Sequence, residues 1–179
     1  MVNFKAKKMS EDDLIPEPKP ESTTVQEATI EDVDQVTDLA LELESELRDS
    51  WDPDRRIPPR EELLQRYQSR IEDPKWQVIL ARKGDQPIGY IFGFIDPEKR
   101  QDTLWVQGVY TKPDSRDFIT ARRMFAGLEK FAKGKNIAKI GGQVYKNSRQ
   151  HLLFKLVGCS DIGETTDGKE VIISKDLTS

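Results

Sequence analysis

The 179 residues include one cysteine, Cys159, and one histidine, His151. A lone cysteine excludes an internal disulfide, and one residue of each kind excludes a zinc site of the usual Cys/His type. A Ser-His-Asp or Cys-His device would have to run through His151 alone. No apolar run approaches the ~18 residues of a membrane span. The opening MVNFKAKKMSEDD has neither the apolar core nor the small-residue cleavage site of a secretory signal, so the expected location is the cytoplasm, without membrane contact. Glycine is missing from VYTKPDSRDFITARRMF, residues 109 to 125, although this stretch reads as a strand end, a turn at Pro113 and a helix start, a junction that often holds phosphate.

What is present is a soluble composition, 36% hydrophobic and 34% charged, in a length that suits one domain and is short for two. The net charge of −4 conceals a segregation. Residues 24 to 54 carry eleven acids and one base, and residues 112 to 155 carry eleven bases and three acids. Most of these charges are expected on solvated helix faces; the sharper expectation is an anion site in the second half and a surface in the first that tolerates cations. Residues 1–22, with LIPEPKPES, have little to bury and read as a flexible tail that a protein partner could order.

The domain is expected over 23–179. TTVQEA reads as a strand, and Thr29 with Asp32 has the spacing of a capping box. Val33, Val36, Ala40, Leu43 and Leu47 then form one helical stripe ending near Asp49. A second helix is expected over Arg60–Glu72. KWQVILARK, PIGYIFGFI and TLWVQGVYT read as an antiparallel meander, with Gly108 marking a bulge or close approach. A long helix from about Ser115 to Lys133 stops at Gly134. A strand (NIAKIGGQVY), a helix (SRQHLLFKLVG) and a hairpin through TTDGKE into VIISKDL complete the order.

This order resembles the GNAT (GCN5-related N-acetyltransferase) superfamily, of which the chain looks like a divergent member, and two segments carry the likeness. Val109, Thr111, Pro113, Arg116, Ile119 and Ala121 follow the family's pattern at the coenzyme-binding junction. Asn147, Gln150, Leu153, Phe154, Leu156, Gly158 and Cys159 follow a second family pattern. The resemblance implies an α/β (α+β) fold with a mostly antiparallel sheet of six to seven strands and about four helices. It implies acetyl-CoA as donor, no metal, and an acyl group passed to an amine. Val109, Tyr110 and Thr111 would lie along the pantetheine arm. Arg116, Asp117, Phe118, Ile119, Thr120, Ala121 and Arg122 would surround the diphosphate, and Asn147 would add to the coenzyme site.

Three positions depart from the family pattern. Ile119 replaces a glycine that lets backbone approach phosphate. Phe154 replaces a tyrosine that protonates the departing thiolate in many members, and a phenyl ring has no proton to give. TLWVQGVYT has no carboxylate to act as general base, so Gln107 could only orient a water. Tyr145 and His151 are the substitutes to consider, against the plainer readings of a packed ring and a surface histidine. Two functions follow: an acetyl-CoA-dependent N-acyltransferase with a cationic small-molecule or protein acceptor, or a catalytically degenerate member, a pseudoenzyme serving as a binding or structural part of an assembly, for instance one encoded by a phage, which would then be part of a virion. Nucleic-acid binding has no motif behind it and the overall acidity opposes it. Self-association into a homo-oligomer is left open.

Overall fold

The computed structural model describes residues 22–96 and 102–177. The proposed tail therefore lies, but for residue 22, outside the described residues. Eleven regular elements follow in the expected order: β1 (Thr23–Glu27), α1 (Val33–Ser50), α2 (Arg60–Glu72), β2 (Trp76–Lys83), β3 (Gln86–Ile95), β4 (Thr103–Thr111), α3 (Phe118–Gly134), β5 (Lys139–Tyr145), α4 (Arg149–Leu156), β6 (Ser160–Glu164) and β7 (Glu170–Asp176). The seven strands form one sheet in the order β1-β2-β3-β4-β5-β7-β6. Every neighbouring pair is antiparallel except β4 and β5, which need the α3 crossover that parallel strands require.

The sheet carries an apolar core on each face. On one, Met124, Phe125, Leu128 and Ala132 of α3 recur at helical spacing and are buried against Ile79, Ile91, Leu104 and Ile140. On the other, Leu39, Leu63 and Tyr67 from α1 and α2 cover Leu80, Tyr90 and Phe92. The two helical stripes thus face opposite sides of β2, β3 and β4, which explains why these strands are apolar almost throughout.

Element ends differ from expectation where side chains compete for backbone groups. Asp32 accepts from the Thr29 amide at 2.8 Å and the Thr29 hydroxyl at 3.1 Å, but a 3₁₀ turn over Ile30–Asp32 intervenes before α1 begins at Val33. A second 3₁₀ turn, Pro113–Ser115, delays α3 to Phe118. Gly134 is the last residue of α3, and the left-handed residue after it is Asn136, at φ 57°. In β4 the extra residue of the bulge is Gln107: Gly93 pairs with Val106 and Phe92 with Gly108. Gly108 itself answers a close approach, since a Cβ there would fall 2.5 Å from the Phe92 ring.

Candidate active site

The site arises from a parting of two strands. β4 and β5 pair only through Thr103–Val106 and Lys139–Gly142. β4 then continues as Gln107–Thr111 against β3, while β5 continues as Gln143–Tyr145 against β7. Strands twist relative to their neighbours, and the bulge at Gln107 adds to the twist. The result is a wedge whose β4 edge has no strand beside it from Gln107 onward.

Two chambers lie along the wedge and share Val109 and Gln150 in their walls. The outer one, about 170 Å³, runs between the start of α3 and α4. Val109, Tyr110, Thr111, Arg116, Asp117, Phe118 and Ala121 line it, seven of the residues picked from the sequence. Leu152, Leu153 and Leu156 of α4 close its other side, and Leu152 and Leu156 remain 60% and 58% exposed. The inner chamber, about 160 Å³, brings Gln107, Tyr145 and Phe154 together with Arg55, Gln143 and Glu170. Ile119, Thr120, Arg122 and Asn147 line neither chamber.

Local hydrogen bonds decide what the α3 junction can hold. Asp117 is the N-cap: its carboxylate accepts from the Thr120 amide at 2.6 Å and the Thr120 hydroxyl at 2.7 Å. Burial pushes this carboxyl up, but the Thr120 hydroxyl and amide and the Ile119 amide outweigh it and hold the group below the usual carboxylate range. The amides of Ile119 and Thr120 therefore already carry an anion. The Ile119 side chain is 62% exposed. Arg116 is likewise engaged: its Nε donates to the Thr111 carbonyl at 2.8 Å, its Nη2 pairs with Glu46, and its guanidinium lies 5.7 Å from the Tyr110 ring centroid.

The other candidates divide sharply. Phe154 is 2% exposed and meets Phe125 edge to face at 5.8 Å, yet its ring also forms part of the inner chamber wall. Tyr145 stacks on Trp51 with ring centroids 5.5 Å apart. Burial, then the Glu170 charge, raises its phenol above the ordinary range despite Arg55. His151 uses both ring nitrogens in the fold: Nδ1 accepts from the Asn147 amide at 3.2 Å, and Nε2 lies 2.9 Å from Asp161 Oδ1. Asn147 takes a left-handed φ of 60°, so both residues build the turn into α4, which Ser148 caps through the His151 amide at 3.0 Å. Burial pushes the Cys159 thiol up to about 12, leaving no thiolate at neutral pH.

Sequence reasoning did not single out Glu46, Arg149, Arg55 or Glu170. Nothing local marks them: Arg55 comes from the loop after α1, and Glu170 faces Tyr145 only through the β5–β7 register. The acids of α1 are largely matched within the fold. Glu42 accepts from the Tyr110 hydroxyl at 2.9 Å and pairs with Lys112 at 3.4 Å. Glu44 holds Arg55 at 2.6 Å, and Asp34 and Asp38 hold Arg60 at 2.7 and 2.9 Å. Among the described residues no group of three or more His, Cys, Asp and Glu side chains is arranged to hold a metal, and no helix is long and apolar enough to cross a membrane.

Comparison with known proteins places this architecture. Residues 40–158 match the model of the acetyltransferase (GNAT) family. No curated protein matches the sequence. Among solved structures, the putative acetyltransferase yncA of Salmonella typhimurium, solved with acetyl-CoA, is 14% identical, with a TM-score of 0.71 over 88% of this chain and 95% of that one. The PaiA N-acetyltransferase of Thermoplasma acidophilum, solved with coenzyme A, is 21% identical, with a TM-score of 0.63 over 87% and 99%. The ribosomal-protein-S5-alanine acetyltransferase of Vibrio fischeri is 15% identical, with a TM-score of 0.70 over 91% and 96%. With its family pattern matched over two thirds of its length and its seven-stranded sheet opened between β4 and β5, the chain belongs to the GNAT acetyltransferase family.

Proposed function

We propose that the protein is an acetyl-CoA-dependent N-acyltransferase that passes its acyl group to a protonatable amine by direct attack. The observation carrying this reading is the continuous wedge from the start of α3 to Tyr145, with an unpaired β4 edge along one wall. An apolar wedge with free backbone polar groups suits a pantetheine arm, whose amides alternate with methylenes. Val109, Tyr110 and Thr111 would hold the arm, and Arg116, Arg122 and Arg149 would supply charge for the phosphates. The two solved relatives named with acetyl-CoA and coenzyme A support this assignment.

In the reaction the free amine adds its lone pair to the thioester carbonyl carbon to form the C–N bond, the C–S bond breaks, the sulfur leaves with the C–S bonding pair as thiolate, and the nitrogen gives up its extra proton through water to that thiolate. Holding the two reactants together and polarising the carbonyl supply most of the acceleration such a transfer needs. A proton donor in place of Phe154 would add ~10²- to 10⁴-fold.

Asp117 is the observation that favours a second reading, a member of the family that has lost catalysis and serves as a binding or structural part of an assembly. Its carboxylate occupies amides that a diphosphate would need. Calorimetry with acetyl-CoA, followed by thiol release with a panel of amines, separates the two. The acyltransferase reading expects saturable binding and amine-dependent thiol. Absence of heat at millimolar acetyl-CoA would sink it, and binding without thiol release would leave the second reading.

A further inference from the structure

The inner chamber has one carboxylate in its wall among the described residues, Glu170. It stands at the first position of β7, directly opposite Tyr145 of β5. Gln143 Nε2 donates to Glu170 Oε2 at 2.5 Å, which fixes one oxygen; the other takes no hydrogen bond from the described residues. The backbone beneath is pinned by the preceding turn: the Thr165 amide donates to the Glu170 carbonyl at 3.0 Å, and the Glu170 amide donates to the Thr165 hydroxyl at 3.1 Å. A carboxylate held in this way spends little conformational entropy on binding a ligand.

Its surroundings favour a cation. Tyr145 lines the same chamber, and Trp51, 43% exposed, stacks on it and extends that aromatic wall to the surface. Burial first, then the charges of Glu170, Asp52 and Asp167, raise the Tyr145 phenol against the opposing charge of Arg55. Among the described residues the chamber wall holds one cation, Arg55, matched by Glu44 at 2.6 Å. The α1 acids named above are spent on ion pairs of the fold, so the first-helix charge does not itself supply a free carboxylate here.

We infer that Glu170, with the Tyr145–Trp51 stack beside it, forms the binding site for the ammonium group of a primary-amine acceptor. The assignment deepens the acyltransferase reading and rests on it for the word acceptor, but the site is defined by its own ligand chemistry: a charge-assisted hydrogen bond to the free Glu170 oxygen and cation–π attraction to the rings. It places the acceptor nitrogen, which loses one proton to water before its lone pair can attack, in the chamber that opens beside Gln107, Gly108 and Val109 of β4, along the wedge assigned to the thioester.

The test titrates the whole chain, ¹⁵N-labelled and without coenzyme, with n-butylamine at neutral pH and with 1-butanol as uncharged counterpart. The Gln143 side-chain amide and the Trp51 indole N–H report. Butylamine is expected to shift both signals saturably and butanol to shift neither. Glu170→Gln, shown folded by its own spectrum, is expected to weaken butylamine by about tenfold or more, while Glu164→Gln, which removes the exposed partner of Lys146, leaves the affinity unchanged. Equal affinity in Glu170→Gln, or equal shifts from butanol, overturns the site. Thiol release in parallel keeps the two readings apart. Amine binding lost in Glu170→Gln with no thiol from the wild type upholds the site and removes the acyltransferase. Thiol release from the wild type with amine binding unchanged by Glu170→Gln does the reverse.

Discussion

Asp117 is the residue on which coenzyme affinity is expected to turn. A carboxylate at a helix N-cap stabilises its own helix by satisfying amides that would otherwise bind an external anion, so the two compete for the same donors. Asp117→Ala is expected to lower stability by about 1 kcal/mol, read by urea denaturation, and to strengthen acetyl-CoA binding about tenfold in calorimetry. Ile119→Gly is expected to change affinity by less than about twofold, because the side chain it removes already faces solvent. The opposite ranking would locate the obstacle at position 119. At Phe154, where the ring sits in the inner chamber wall, Phe154→Tyr is expected to raise turnover by ~10²-fold or more, measured as amine-dependent thiol release; an unchanged rate would show that a hydroxyl there does not reach the sulfur.

At the scale of the element, β4 does two incompatible jobs by changing partners along its length. Its first half is an interior strand between β3 and β5, and its second half is an edge left open toward the site. The bulge at Gln107 marks the change, and Gly108 permits it because Phe92 fills the space a side chain would need. Gly108→Ala is expected to cost ~1–3 kcal/mol through overpacking against that ring, visible as a lower urea midpoint, with coenzyme binding weakened as the edge shifts. Unchanged stability would mean that Phe92 can move aside freely. The composition of β4 announces a strand with a glycine in it; where pairing ceases is a property of two strands far apart in sequence.

For the whole molecule, the segregated charge works as an internal clamp. Acids of the first half meet cations of the second: Glu42 with Lys112, and Glu46 with Arg116, across the junction of α1 with the end of β4. Acid is expected to loosen the molecule through two aspartates. Asp32, which burial pushes up but Thr29 and Arg82 pull down, and Asp117 both sit below the usual carboxylate range in the folded state. A depressed folded value contributes stability above the unfolded value, near 3.9 for aspartate, and that contribution is lost as pH falls through the folded one. The urea midpoint is expected to hold between about pH 5 and 8 and to fall steadily below pH 4. A midpoint that rose on acidification would contradict both assignments.

The sequence by itself determined the order of the elements, because 3- and 4-residue periods and β-branched runs are local signals, and it determined the family, because Pro113, Arg116, Ala121 and the Asn147–Gly158 pattern are local as well. It also showed that position 154 has no hydroxyl and β4 no carboxylate, since such absences need no coordinates. Tertiary structure decided the rest. Asp117 turns inward onto Thr120, His151 commits both nitrogens to the turn and strand beside it, and the α1 acids are matched by arginines and a lysine from elsewhere in the chain. Glu170 reaches the inner chamber because β7 pairs with β5 in a register that sets it against Tyr145. The contacts of Glu170 with Tyr145, Asp38 with Arg60 and Glu42 with Lys112 join residues tens of positions apart, and no local period records them.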